Sequence, residues 1–356
     1  MTSPLASSYG QARARFLEAS SAAGARVETF AHPDAGPNGE DLAVDLAWLA
    51  EAEGDQNLVL VVSGTHGVEG FAGSAIQTRH IVEGIELAPS TSMVMLHALN
   101  PYGFAWVRRT NEDNIDLNRN FVDFDARPVN ERYGPIADVL VPDKWDEATQ
   151  QATLRALLEL LEQRGMPEVQ EIVSGGQYDH PKGLFYGGVE PSWANRLLRD
   201  LCSGPFARFD RVVIVDLHTG LGPWGVGELI SSVPDTSDAF EADQAVFGDD
   251  LVSLASGESV SAQLAGEWIS AVAQWLSPAQ VHAVAIEYGV VEIIQVLMAL
   301  RADAWLHGYG DPTGSEAAPI KQALRAVFAD DDPEWHERTW QRYQQVWRRI
   351  NQALSA

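Results

Sequence analysis

Cysteine is nearly absent: Cys202 is the one thiol in a chain of 356 residues. That excludes an internal disulfide and a thiolate metal cage, so any metal here relies on histidine and carboxylate. Cys202 itself follows an amphipathic stretch and reads as a packed small hydrophobe. Basic residues are scarce, 24 Lys and Arg against 50 Asp and Glu, for a formal charge of −26. This balance excludes a broad nucleic-acid surface or an anionic membrane as partner, since both need basic patches. No apolar run approaches the roughly 20 residues that span a bilayer. The opening MTSPLASSYGQARARF lacks the apolar core of a signal peptide. Also missing are a Gly-x-Ser-x-Gly elbow, a Walker A pattern, an internal repeat and a low-complexity linker. The expectation is a soluble, cytoplasmic protein.

What is present is a globular composition, 46% hydrophobic and 21% charged. Four short apolar runs read as buried strands: Leu58 to Val62, Met93 to Ala98, Arg211 to Val215 and Val281 to Ile286. An Ala-rich amphipathic helix is expected over 4–22, followed by a polar loop through DAGPNGED. Further helical patterns cover 73–83, 147–164, 193–201, 260–276 and 291–305. A long helix over 333–354 opens with Pro333 and carries Trp335, Trp340, Tyr343, Trp347 and Ile350 as a core-facing stripe. Strands alternating with helices predict an α/β fold with a mixed, mainly parallel sheet sandwiched between helices. The chain reads as a single domain over 1–356, with an insertion at about 123–205.

In such sheets ligands bind beyond the carboxyl ends of the strands, so the residues after each apolar run matter most. SGTHGVEG follows the first run and carries His66 and Glu69. LNPYGFAWVRRTNEDNIDLNRNF follows the second, with Arg108, Arg109, Asp116, Asn118 and Arg119. DLHTGLG follows the third with His218, and Glu287 and Tyr288 end the fourth. His66 and Glu69 on a strand-to-helix turn, joined by His218, would hold a tetrahedral zinc with one position open to water. Such a zinc lowers the pKa of water to about 7, and a free carboxylate, Glu287, would take its proton. Each histidine taken alone reads equally well as a hydrogen-bonded strand-end residue; the combination is what points to a site.

GTHGVEG, then NP-x-G ahead of RTNEDNIDLNRNF, then strands ending in DLHTG and in Glu, resemble the zinc metallocarboxypeptidase superfamily. The likeness is greatest to an uncharacterised bacterial branch near the succinylglutamate desuccinylase/aspartoacylase enzymes. It runs from about Val59 to Glu287, and GGQYDHPKGLFYGGVEPSWAN (175–195) resembles the same branch. The resemblance implies one zinc per chain on His66, Glu69 and His218, with Glu287 as general base and acid. It implies that Asn118 and Arg119 grip a substrate carboxylate, and that Arg109 polarises the scissile carbonyl, with Arg108 as the adjacent alternative. Asp116 matches a carboxylate that orients the first histidine, although a turn or cap aspartate reads as well. The span from Glu69 to His218 is longer than usual for the family, which fits the insertion. The family's mobile tyrosine matches no motif; Tyr288, Tyr178, Tyr186 and Trp224 are the candidates.

The resemblance thus implies a zinc hydrolase that cuts an amide next to a free carboxylate in a small peptide or an N-acyl amino acid. Peptidase and aspartoacylase-type deacylase stay open, beside a non-catalytic metal or carboxylate binder, which Glu287 argues against. GLGPWG (220–225) fits Gly-x-Gly-x-x-Gly literally, but His218 and Thr219 intervene, Pro223 interrupts the turn and GVGELISSV reads as a strand. His97 and His282 lie in apolar strands and read as satisfied core or edge residues, and His180 as a loop residue; His32, His307 and His336 carry no pattern.

Overall fold

The computed structural model describes residues 4–355 except Glu53, Asp55, Ile85 and Gln263. Helix α1 (Tyr9–Ala22) starts at Ser8, whose hydroxyl accepts the Gln11 N–H. A hairpin follows, β1 (Arg26–Ala35) and β2 (Asp41–Ala50), where the sequence suggests a polar loop. Then come β3 (Asn57–Ser63), α2 (Gly70–Glu83), β4 (Thr91–His97) and the short α3 (Pro101–Ala105). The next stretch holds α4 (Ala137–Leu140), α5 (Glu147–Arg164), α6 (Met166–Ser174) and α7 (Trp193–Ser203). The chain continues through β5 (Arg211–Trp224), β6 (Gly227–Ser231), α8 (Asp238–Phe247), β7 (Leu251–Ser253) and α9 (Trp268–Trp275). It closes with β8 (Gln280–Gly289), α10 (Ile293–Gly308), α11 (Ala317–Phe328) and α12 (Pro333–Ser355).

The strands form one eight-stranded sheet in the order β1-β2-β4-β3-β5-β8-β6-β7. Neighbours β3/β4, β3/β5, β5/β8 and β6/β7 are parallel, while β1/β2, β2/β4 and β6/β8 are antiparallel. The fold is therefore α/β, with a mixed, mainly parallel sheet flanked by helices. Both faces of the centre are covered, which is why Leu58–Val62 reads as an unbroken apolar run. Val59 and Val61 join the core under α12, with Trp335, Tyr343 and Ile350. Leu58, Leu60 and Val62 point into the opposite core, with Leu198 of α7 and Trp268 of α9.

Several boundaries differ from the sequence reading. The helical pattern over 260–276 yields a helix only from Trp268; Gln263 lies outside the described residues. The third strand runs on past Val215 to Trp224 and absorbs most of the glycine-rich GLGPWG stretch. Segment 123–205 contributes helices α4 to α7 and no strand to the sheet. Two histidines read in sequence as satisfied core or edge residues are held by partners, His97 by the Ser74 hydroxyl (2.9 Å) and His282 by Asp243 (2.9 Å), and His80 pairs likewise with the Tyr343 hydroxyl (2.7 Å). Among the described residues no helix is long and apolar enough to cross a membrane.

Candidate metal centre and substrate pocket

The turn after β3 is built by close backbone approach. Gly64 adopts φ 67, which favours glycine. A Cβ on Gly67 would lie 2.0 Å from the Gly103 carbonyl carbon, so this position tolerates no side chain. The Gly67 and Val68 N–H groups donate to the carbonyls of Arg109 and Arg108 (3.2 and 2.7 Å). These contacts lock His66 and Glu69 against the loop that carries both arginines.

His66, Glu69 and His218 are buried and bring one donor atom each to within 4.8 Å of one another. His218 Nδ1 lies 3.0 Å from Glu69 Oε2, and its Nε2 lies 2.6 Å from Asp216 Oδ2. Asp216 also accepts from the Thr65 hydroxyl (2.8 Å) and from Trp268 Nε1 (2.7 Å). Burial opposes protonation of His218, yet Asp216 and Glu69 outweigh it and hold its pKa well above the ordinary value. Burial and the Arg109 charge push His66 the other way, towards a neutral ring. His66 Nδ1 is buried without a hydrogen-bond partner, 3.7 Å from Asp116 Oδ1. Two imidazoles and a carboxylate, with one ring nitrogen orphaned, form a donor set that fits a divalent metal with a position to spare.

Arg109 braces this group. It donates to Asp116 (2.9 Å) and Glu69 (3.1 Å), and its Nη2 lies 2.7 Å from His66 Nε2. Asp116 accepts the Asn118 N–H as well. Burial disfavours its charge, but Arg109, His66 and Arg119 prevail and hold its pKa below the usual carboxylate value. Arg119 donates through Nε to the Ser174 carbonyl (3.0 Å) and through Nη1 to the Asn118 carbonyl (3.0 Å). Of its five N–H groups, that anchoring leaves some for a ligand. Glu287 stands opposite His218 in the β5/β8 register and accepts the Leu221 N–H at 3.0 Å. Burial first, and the Glu69 charge second, push its pKa well above the ordinary carboxylate value.

One pocket of about 140 Å³ is lined by His66, His218, Arg109, Asn118, Arg119 and Glu287 together. Arg108 does not join it. Its guanidinium turns into a buried network with Asp303 (3.1 Å) and Asn114 (2.8 Å), so of the two adjacent arginines Arg109 is the one that lines the pocket. The tyrosine candidates are also committed elsewhere. Tyr288 is fully buried outside the pocket, Tyr178 donates to the Arg119 carbonyl (2.7 Å), Tyr186 bridges to Ile115, and Trp224 donates to Asp330 (2.7 Å).

A family described as a protein of unknown function, DUF2817, matches residues 5–342. The chain belongs to DUF2817. No curated protein matches it in sequence. In overall shape this DUF2817 chain is similar to carboxypeptidase A from Helicoverpa armigera, at 13% identity, 98% of this chain and 74% of that chain, with a TM-score of 0.49. It is also similar to bovine thrombin-activatable fibrinolysis inhibitor, at 11% identity, 98% of both chains and a TM-score of 0.48. A succinylglutamate desuccinylase from Silicibacter sp. TM1040 aligns at 13% identity over 85% of this chain and 65% of that one, with a TM-score of 0.39.

Sequence reasoning gave no role to several residues in and behind the pocket of this DUF2817 chain. Asp216 had a signal, because residues two apart on a strand share a face and Asp216 precedes His218 by two. Phe185, whose ring centre lies 5.4 Å from both the Arg109 and Arg119 guanidinium carbons, had none. Neither did Glu267, which lines the pocket with its carboxylate accepting the Ser270 hydroxyl at 3.0 Å. A second group, His32, Asp34 and Glu112, also gathers donor atoms. Its histidine is already satisfied by the Asp34 N–H (3.1 Å) and by Glu112 (3.3 Å).

Proposed function

We propose that this chain is a metal-dependent hydrolase, with one zinc per chain, that cleaves an amide next to a free carboxylate. The observation that carries the reading is the convergence of four strand ends. His66, Glu69 and His218 offer metal donors, and Glu287 and the two arginines face the same pocket. When bound, zinc would polarise the scissile carbonyl and acidify a water. The rest of the work falls to side chains. Arg119, anchored on Ser174, would take the substrate carboxylate in a charge-assisted contact beside Asn118. Arg109, held by Asp116, would supply a fixed positive charge where the carbonyl oxygen becomes an anion. Glu287 would receive the water proton and deliver it to the leaving nitrogen. Its raised pKa suits a group that must both accept and donate near neutrality.

Small peptides and N-acyl amino acids are the substrates this arrangement suits. A protein that only bound a carboxylate would gain nothing from burying Glu287 close to Glu69, which is why the catalytic reading is favoured over a silent one. The test combines metal content with turnover. About one zinc per chain is expected in the wild type and far less in His66→Ala and His218→Ala. Glu287→Gln should keep the metal and lose about 10²–10⁴-fold in kcat. Full activity in Glu287→Gln, or no metal after zinc is supplied to the wild type, would sink the proposal.

A further inference from the structure

The pocket wall beside Arg109 is apolar. Phe185, Ile293, Val296, Leu297, Leu300 and Phe328 line it. Leu300 and Phe185 also border a small cleft that includes Arg109, which places this wall next to the guanidinium assigned to the carbonyl. Phe328 is tied in by its carbonyl oxygen, which accepts the Thr219 hydroxyl (2.6 Å) one residue beyond His218. Val296, Leu300 and Phe328 belong to one buried cluster, with Leu297 and Phe185 packed against it. Packing therefore fixes the wall in place. None of the charged residues that line the pocket comes from α10 or α11.

Phe185 adds an independent observation. It sits at φ 53, a left-handed conformation that aromatic side chains avoid. The Gln177 N–H donates to its carbonyl (3.2 Å), and the Gln177 amide donates to the Leu184 carbonyl (3.3 Å). Those bonds hold the strained residue with its ring against both arginines and the pocket. Strain retained at a ligand-facing residue is a mark of function rather than of packing convenience.

We infer that the acyl side of the scissile amide carries a bulky apolar group, aliphatic or aromatic, seated against α10 and Phe185. This rests on the hydrolase reading and narrows its substrate class. An apolar acyl chain gains by leaving water against this wall, whereas a charged one such as succinyl would lose hydration against α10 and α11 side chains that carry no charge into the pocket, beside an Arg109 already paired with Asp116 and Glu69.

The test uses the full chain loaded with zinc and four derivatives of alanine: N-acetyl, N-succinyl, N-hexanoyl and N-benzoyl. The hexanoyl and benzoyl compounds should exceed the acetyl one in kcat/KM by at least about tenfold, with succinyl the poorest. Leu297, half-buried on α10, tolerates change better than its buried neighbours. Leu297→Asp should pull the hexanoyl-to-acetyl ratio down towards one, and Leu297→Asn should do so less completely. Equal rates for acetyl and hexanoyl, or a preference for succinyl, would overturn the inference while leaving the hydrolase reading intact. Should no compound be cleaved, calorimetric titration with the same four still decides. Tighter binding of the hexanoyl compound than of the acetyl one upholds the apolar seat, and equal binding overturns it, while the hydrolase reading stands or falls on the metal content and the Glu287→Gln turnover.

Discussion

Arg119 is nearly fully buried, its guanidinium donates to the backbone carbonyls of Ser174 and Asn118, and Asp116 stands 3.8 Å from its Nη1. On the proposed reading, a guanidinium so held would receive the substrate carboxylate with its geometry already fixed. Arg119→Ala should therefore raise KM for substrates with a free carboxylate by about tenfold or more, and change KM for their carboxamides far less. Steady-state kinetics on matched pairs checks this, and equal effects on both would remove the role. Asp216 acts one step further back. It holds the His218 ring through Nε2, and Trp268 and Thr65 hold Asp216. Asp216→Asn should weaken metal affinity about 10–100-fold without removing a donor, measurable by competition with a chelator.

At the scale of elements, the HGVE turn and the loop after β4 work as one piece. Gly67 has no room for a Cβ against Gly103, and two backbone hydrogen bonds tie the turn to Arg108 and Arg109. Gly67→Ala must push these segments apart, so it should abolish stoichiometric metal binding while the far-UV spectrum of the sheet and helices persists. Retained metal binding would show that the turn is less constrained than the contact implies. The long β5 is the other organising element. It carries Asp216 and His218, and its parallel pairing with β8 sets Glu287 opposite His218.

For the molecule as a whole, acid is the weak direction. His80 and His97 are buried and neutral, with pKa values pushed down from 6.5 to about 4 by loss of solvent. In the unfolded chain both would titrate at the ordinary value. Below pH 6.5 the unfolded state then binds more protons, and stability falls as pH drops from about 6.5 towards 4. Each group removes at most about 1.4 kcal/mol per pH unit in that window. Urea midpoints at pH 7 and pH 5 should show the fall, and His80→Gln should show a smaller one. Identical falls in the two proteins would exclude His80 as a contributor. The charge of −26 acts separately, by self-repulsion, so thermal stability should rise with added salt at neutral pH.

Sequence alone determined the strand centres and the polar residues that follow them. A strand buried on both faces is continuously apolar, and polar side chains that could meet a ligand gather where such runs end. His66, Glu69, His218 and Glu287 were legible for that reason, as was the stripe of α12. The hairpin β1–β2 was not, because its first strand is largely exposed and alternates too weakly to stand out from a loop. Helix α9 was overextended because apolar spacing over 260–276 is satisfied as well by a loop packed on the pocket as by a helix. Tertiary structure alone decided that Arg109 lines the pocket while Arg108 turns into an ion pair with Asp303. Adjacent residues in a loop point where backbone bonds turn them, and no local spacing encodes that. It also decided Phe185, whose place depends on a left-handed backbone held by Gln177 and on arginines from a distant loop. Periodicity records which residues avoid water; which of them meet is set by the crossing of chain segments far apart in sequence.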